Sequence, residues 1–302
     1  MIRLGTRGSA LALAQAGWVA ERLEGEVELV PIRTSGDERP AGTAPDHSDK
    51  ARFVKEIEEA LLAGRVNLAV HSAKDVPGEL PEGLSIVGVP ERADARDALC
   101  GATSLLDLAE GAVVGTGSLR RRAQLLARRP DLEVVELRGN VDTRLRRVSE
   151  GRPAAALLAQ AGLDRLGRGH EGSPLPLADF VPAAGQGALA LEARTGDRSP
   201  AERAAAITDG PALASLTAER ALVSALGATC HTPVGTYAEA RGGSLRVISF
   251  VGMPDGSHWI SDELEGDQAD PAALGRAVAD RLLAAGAAEL LREAHALTAP
   301  PG

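Results

Sequence analysis

Three patterns in this chain bring charged side chains to the end of an apolar run. The first is Val113-Val114-Gly115-Thr116-Gly117-Ser118-Leu119-Arg120-Arg121-Arg122. It reads as a short strand, a glycine turn and a helix opening at Ser118, whose hydroxyl suits an N-cap. A helix N-terminus carries free N–H groups and a partial positive charge, so Arg120, Arg121 and Arg122 in its first turn are locally unfavourable. An anion from outside the chain, carboxylate or phosphate, would offset that; a solvated surface helix is the plain alternative. The second pattern, Leu137-Arg138-Gly139-Asn140-Val141-Asp142-Thr143-Arg144, repeats the design with guanidiniums on both sides of Asn140. Each guanidinium can clamp one carboxylate bidentately, so a ligand with several carboxylates would use this many. Alone, Arg144 reads as a solvated helix residue.

The third pattern, His71-Ser72-Ala73-Lys74-Asp75-Val76-Pro77, closes a strand with a lysine beside an aspartate. Pro77 biases Val76 toward extended backbone, which places the pair in a rigid turn rather than a helix. There Asp75 could stabilise positive charge developing on a substrate while Lys74 holds an anionic arm; an ordinary surface ion pair is the alternative. Of 33 basic residues only Lys50, Lys55 and Lys74 are lysine, which marks each for a role arginine does not fill. Gly227-Ala228-Thr229-Cys230-His231-Thr232-Pro233-Val234-Gly235 sets Cys230 in a loop of small residues, where a thiolate can be reached. Burial in a core is the other reading for a cysteine, and Cys100 is assigned to that. No second Cys or His stands at ligand spacing, so no metal site is expected. Gly115-Thr116-Gly117 lacks the third glycine of a dinucleotide fingerprint, and neither a P-loop nor a nucleophile elbow occurs.

The elements that position these groups alternate. Strands are expected at 2–5, 27–34, 67–71 and 84–89, with helices at 10–20 (Leu11, Gln15, Trp18 and Val19 on one face) and 53–63. Residues 36–51 form a long polar loop, a length that points to function or disorder. After a charged connector at 90–96, strands at 112–115, 132–137 and 154–159 alternate with helices at 118–128, 142–149 and 160–166. Gly167 to Leu177 reads as loop, 188–193 as strand and 200–207 as helix. Such alternation implies parallel sheets in two similar lobes facing a cleft. Ligands then sit at the strand C-termini, where the Arg7, Lys74, Arg120 and Arg138 turns lie. Beyond Gly210 come a helix at 211–226, two or three strands with a Pro254-Asp255-Gly256 turn, and a final helix carrying Leu274, Val278 and Leu282. This is a small α+β unit.

At 302 residues the chain suits two or three domains of about 100 residues. No apolar run approaches the roughly 20 residues of a bilayer span, and the strand-like start does not read as a secretory signal. Two cysteines, Cys100 and Cys230, suggest no disulfide framework and suit a reducing cytoplasm. A net charge of −9 and six aromatic residues argue against nucleic-acid binding, though an acidic protein can hold a basic cleft.

Taken together, the motifs resemble the porphobilinogen deaminase (hydroxymethylbilane synthase) family of tetrapyrrole and heme biosynthesis. The matching pieces are Thr6-Arg7-Gly8-Ser9 running on to Gln15, Thr34-Ser35-Gly36-Asp37, Phe53-Val54-Lys55-Glu56, the three patterns above, Ala161-Gly162-Leu163-Asp164-Arg165-Leu166, Gly185-Gln186-Gly187-Ala188, and Glu219-Arg220 leading to Cys230 and Pro233. They keep the family's order and spacing over nearly the whole chain. The resemblance implies an α/β protein with two periplasmic-binding-protein-like lobes and a small C-terminal α+β domain. Residues 1–90 with 188–206 would form domain 1, 94–182 domain 2 and 210–302 domain 3. It implies a cytoplasmic monomer, bound neither to nucleic acid nor to membrane, that condenses porphobilinogen with loss of ammonia. The primer would be a dipyrromethane cofactor joined by thioether to Cys230, and Asp75 would be the catalytic carboxylate. Arg7, Ser9, Lys55, Lys74, Thr116, Ser118, Arg120, Arg121, Arg138, Gly139, Arg144, Arg165 and Gln186 would hold the cofactor and substrate, with loop 36–51 as a mobile cover. The chain departs from the family pattern at Thr229, Gly117, Asp142, Lys50-Ala51-Arg52, Ala73 and Gln160; a paralogue with another product, or a non-catalytic polyanion binder of the same fold, is the alternative.

Overall fold

The computed structural model describes residues 1–34, 51–229 and 231–298. Positions 35–50 of the polar loop, among them Lys50, and Cys230 lie outside the described residues. The chain opens with β1 (Ile2–Arg7), α1 (Ala10–Ala20), β2 (Val27–Ile32), α2 (Ala51–Leu62), β3 (Leu68–Ser72) and β4 (Leu84–Gly88). Next come β5 (Asp97–Cys100), β6 (Val113–Gly115), α3 (Leu119–Arg128), β7 (Glu133–Val135), α4 (Val141–Ser149), β8 (Ala155–Ala159), α5 (Gln160–Arg165) and the two-residue β9 (Ser173–Pro174). It closes with β10 (Leu189–Arg194), α6 (Arg198–Ala206), α7 (Gly210–Ala225), β11 (Val234–Arg241), β12 (Ser244–Gly252), β13 (Trp259–Asp267), α8 (Pro271–Ala284) and α9 (Ala287–Thr298).

Two five-stranded sheets repeat one plan. The first runs β2-β1-β3-β10-β4 and the second β7-β6-β8-β5-β9. In each, three parallel strands are followed by an antiparallel fourth, β10 or β5. In both sheets that antiparallel strand is the first formed after a crossing: β5 opens the second sheet, and β10 completes the first on the chain's return. Helices cover both faces, as parallel strands require. Ile2, Leu4, Val19, Leu68 and Leu189 pack on one face of the first sheet, and Ile57, Leu61 and Ala69 on the other. Leu99, Val114, Leu125, Leu157 and Phe180 do the same in the second, backed by Cys100, Leu145, Leu158 and Leu163. Pro31 is tolerated because β2 is an edge strand with no neighbour on its outer side.

The third unit is an antiparallel sheet, β11-β12-β13. Leu222 of α7 and Val278 and Leu282 of α8 bury one face of it against Val247 and Val251. Ile248 and Phe250 carry the other face onto Ala123 of α3 and Val181. The expected two-lobed α/β architecture with a small α+β unit is therefore present. Several elements differ from expectation in detail. β5 follows the charged connector at 90–96, where no strand is expected, because four residues are too few for a visible period. The stretch 167–177 holds a helical turn (Gly169–Glu171) and β9 instead of pure loop, and α9 follows the helix expected to be last. Among the described residues no helix is long and apolar enough to cross a membrane.

Candidate functional site

β1 and β3 are parallel neighbours, pairing Leu4 with Leu68 and Gly5 with Ala69. Their C-terminal ends therefore share one edge of the first sheet, which gathers Arg7, Ser9, Lys74 and Asp75. Ser9 is the N-cap of α1, its Oγ accepting from Ala12 N at 3.3 Å. Residues 73–75 make one 3₁₀ turn closed by Val76 N–H donating to the Ala73 carbonyl, and Val76 is extended (φ −77°, ψ 127°) as Pro77 demands. Lys74 and Asp75 are both half-buried in this turn. Lys55 lies exposed on α2 with Glu59 Oε1 at 3.9 Å, and no described contact joins it to the cluster.

The second sheet offers the matching edge. β6, β7 and β8 are parallel and end at Gly115, Val135 and Ala159, leading into Thr116, Glu136-Leu137 and Gln160. Ser118 caps α3, accepting from Arg121 N at 3.4 Å, and Thr116 Oγ1 accepts from Ser118 N at 3.2 Å. Asn140 caps α4 through Thr143 N, and Gly139 at φ 111° turns its carbonyl to accept from Arg144 Nε at 2.8 Å. Half-buried Arg138 donates to Glu136 at 2.7 Å.

Arg120 and Arg121 do not wait for an external anion. Asp97, fully buried at the start of β5, accepts from Arg120 Nη1 (2.6 Å) and Nη2 (3.1 Å) and from Arg121 Nε (2.9 Å). Arg120 Nη1 also reaches the Val181 carbonyl, and Arg121 Nη1 that of Leu157. Burial opposes ionisation of Asp97 most, yet the Arg120 and Arg121 charges, with hydrogen bonds from Arg120 and Gln186, hold its carboxyl well below the usual range. The expected offsetting anion is thus an acid of this chain, and it consumes most of the donors these arginines have. Gln186 is committed in the same way. Its Nε2 donates to Asp97 and the Ala95 carbonyl, both at 2.8 Å, so it helps to hold the Asp97–arginine cluster together. Asp142 likewise pairs with Arg168 at 2.6 Å instead of weighing on Arg144.

Arg144 and Arg165 are placed differently. Arg144 donates to the Gly139 carbonyl and Arg165 to the Gly187 carbonyl, and neither has a carboxylate partner among the described residues. Burial pushes both guanidiniums down to about 10, the charge of Arg121 adding to the effect at Arg144 while Asp164 opposes it at Arg165. Both stay cationic at neutral pH. Among the described residues Arg144 has no anion beside it, and Arg165 has only the charge of Asp164, to which it makes no hydrogen bond. That suits a cofactor or substrate carrying carboxylates.

The turn Gly185-Gln186-Gly187-Ala188 joins the two edges. Ala73 N donates to the Ala188 carbonyl at 3.0 Å, and a Cβ on Gly185 would lie 2.9 Å from the Ala73 carbonyl carbon. Only glycine, here at φ 70°, allows that approach. One residue later the Gln186 side chain is in the Asp97–Arg121 cluster. From across the cleft, Leu11 of α1 packs on α5 at Gly162, 3.6 Å from where a Cβ would be. Asp75's turn and the arginines thus sit on facing edges, bridged by one short segment. At the remaining site position, Cys230, only the flanks are described: Thr229 N donates to Thr232 Oγ1 (3.0 Å) and the Thr232 hydroxyl to the Thr229 carbonyl (2.6 Å).

Asp97, Arg92 and Glu219 carry the site's framework and went unassigned in the sequence. Glu219, buried in α7, accepts from Arg92 (2.5 and 3.2 Å), Gly185 N (2.6 Å) and Ala238 N (2.8 Å). Its signal was present: an acid–base pair, Glu219-Arg220, inside an alanine- and leucine-rich helix. Cys100 is buried as expected, its thiol pushed up to about 11 by burial and so inert.

Comparison with known proteins adds a second line of evidence. Residues 2–202 match the family model for the porphobilinogen deaminase dipyrromethane cofactor binding domain, and residues 213–284 that for the porphobilinogen deaminase C-terminal domain. A porphobilinogen deaminase of Trichlorobacter lovleyi is 44% identical over 301 residues, covering 97% of this chain and 96% of its own. That of Rubrobacter xylanophilus is 48% identical over 293 residues, covering 95% of each. Among solved structures, a periplasmic substrate-binding protein of an ABC transporter from Coxiella burnetii overlaps 70% of this chain and 94% of its own at 16% identity and a TM-score of 0.41.

Proposed function

The chain belongs to the porphobilinogen deaminase family, and from that premise we propose that it condenses four porphobilinogen molecules in turn, releasing four ammonia, and that one water then frees the chain from the primer as the linear tetrapyrrole hydroxymethylbilane. The observation that carries the reading is the pair of half-buried guanidiniums, Arg144 and Arg165, with only carbonyl oxygens as partners among the described residues. A dipyrromethane cofactor fits that donor set, because its acetate and propionate arms supply the missing anions. When bound, it supplies the pyrrole carbon to which the first substrate is joined. Cys230, in the sequence between α7 and β11, is assigned as its thioether anchor.

The remaining chemistry falls to the chain. Arg144, Arg165 and the unspent donors of Arg120 and Arg121 orient carboxylate arms, with Arg7, Ser9, Lys74, Thr116, Ser118 and Arg138 completing the lining; Lys55 belongs to the same proposal from the α2 side. In each condensation the aminomethyl C–N bond breaks, a C–C bond forms at a pyrrole carbon, and the proton displaced there leaves overall with ammonia. The Asp75 carboxylate stabilises the positive charge that this exchange develops. A monomer in a reducing compartment, without nucleic-acid or membrane partners, accords with the net charge of −9 and the two cysteines.

Incubation with porphobilinogen followed by mass analysis of the released product tests the reading. A linear tetrapyrrole with stoichiometric ammonia is expected. Binding without ammonia release, or a different pyrrole product, would contradict it.

A further inference from the structure

The 3₁₀ turn that carries Asp75 is followed by a segment with few donors of its own. Val76 N supplies the turn's closing hydrogen bond, Pro77 has no N–H, and the next residue is glycine. The carbonyls of Val76, Pro77 and Gly78 instead face a side chain from the third unit. Arg220 of α7 donates from Nη2 to Pro77 O at 2.7 Å and Gly78 O at 2.9 Å, and from Nη1 to Val76 O at 3.4 Å. On the other side of Asp75, Gly185 rests against Ala73 and Lys74, and its N–H is fixed by Glu219 at 2.6 Å. Two consecutive residues of α7 therefore bracket the catalytic turn, one through residues 76–78 and the other through the 185–188 bridge. A guanidinium suits the first task because its planar fork spreads donors over several carbonyls, which an ammonium does less well.

We propose that Arg220 is a positioning residue for Asp75, fixing the carboxylate's turn from the same helix that leads on to Cys230. The proposal rests on the reading of Asp75 as the catalytic carboxylate. Cys230 lies ten positions after Arg220, so the unit that bears the proposed anchor also sets the acid it works with. Arg220 meets no substrate arm in this role; it acts through the backbone. A displacement of the carboxylate by about 1 Å is enough to lower turnover by roughly 10²-fold.

The test compares Arg220→Met and Arg220→Lys in cofactor-loaded protein, with loading read by intact mass, and kcat and KM measured with porphobilinogen. Arg220→Met is expected to keep full loading and a KM within about twofold of native while kcat falls roughly 10²-fold, and Arg220→Lys to recover part of kcat. Native kcat in loaded Arg220→Met, a loss that appears in KM alone, or a loss that only follows the loaded fraction would overturn the proposal. Should Arg220→Met fail to fold, Arg220→Lys decides: a lowered kcat at native KM supports positioning, and native kcat refutes it. Asp75→Asn measured alongside separates the two claims. If it keeps native turnover, the reading of Asp75 fails; if it loses turnover while Arg220→Met does not, only the positioning claim fails.

Discussion

Asp97 and Asp75 are carboxylates in opposite situations, and their tests differ accordingly. Asp97 is sealed between two guanidiniums, and its folded pKa lies below the ordinary unfolded value of about 3.9. The unfolded chain binds its proton first, so Asp97 contributes stability that is present above about pH 4 and lost as pH falls toward the folded value. Asp97→Asn leaves Arg120 and Arg121 buried without their neutralising charge and is expected to lower unfolding free energy by about 3–5 kcal/mol at pH 7. Denaturant midpoints of variant and native protein should converge as pH drops below about 4; an equal gap at every pH would contradict the assignment. Asp75→Asn removes the half-buried carboxylate proposed to stabilise the reacting pyrrole, so turnover should fall by roughly 10²–10⁴-fold while the midpoint barely moves. The arginine run Arg120-Arg121-Arg122 announced in the sequence that it needed an anion. It did not say that the anion stood 23 residues upstream, because such pairing is made by the sheet and not by local spacing.

At the scale of elements, the strand–turn–helix units were legible because each carries its own punctuation. Short valine-rich strands end at Gly115 and Val135, and Ser118 and Asn140 cap the helices that follow. What stayed hidden was β5, whose four residues are buried on both faces and show no alternation, and the bridge at 185–188, which has no regular structure to predict. Yet that bridge sets the spacing between Asp75's turn and the arginine cluster. Gly185→Ala would add a Cβ 2.9 Å from the Ala73 backbone at φ 70°, where any side chain is already strained by about 1–2 kcal/mol. Loss of at least that much stability is expected from urea unfolding, with kcat falling as well because Ala73 and Lys74 must shift. An unchanged kcat would mean that the bridge does not position the turn.

At the scale of the molecule, the second sheet is built from one continuous stretch while the first takes back β10 after it, so the chain passes between the lobes at 89–96 and again at 176–188. The third unit grips both passages: Glu219 holds Arg92 and Gly185, and Thr236 N donates to the Pro182 carbonyl at 2.8 Å. Its placement follows from buried polar groups that each find one partner far away in sequence, which is why composition and period revealed the three units but not how they lock. The proposed function depends on that lock, since the two sheet edges carry the guanidiniums and Asp75 while the anchor proposed at Cys230 follows α7 in the sequence. Intact mass of the protein made with porphobilinogen available, beside Cys230→Ser made in the same way, tests this most directly. The account predicts one dipyrromethane adduct on the native chain, mapped by peptide digestion to Cys230, and none on the variant. A native chain of unmodified mass, or an adduct that survives in Cys230→Ser, would contradict it.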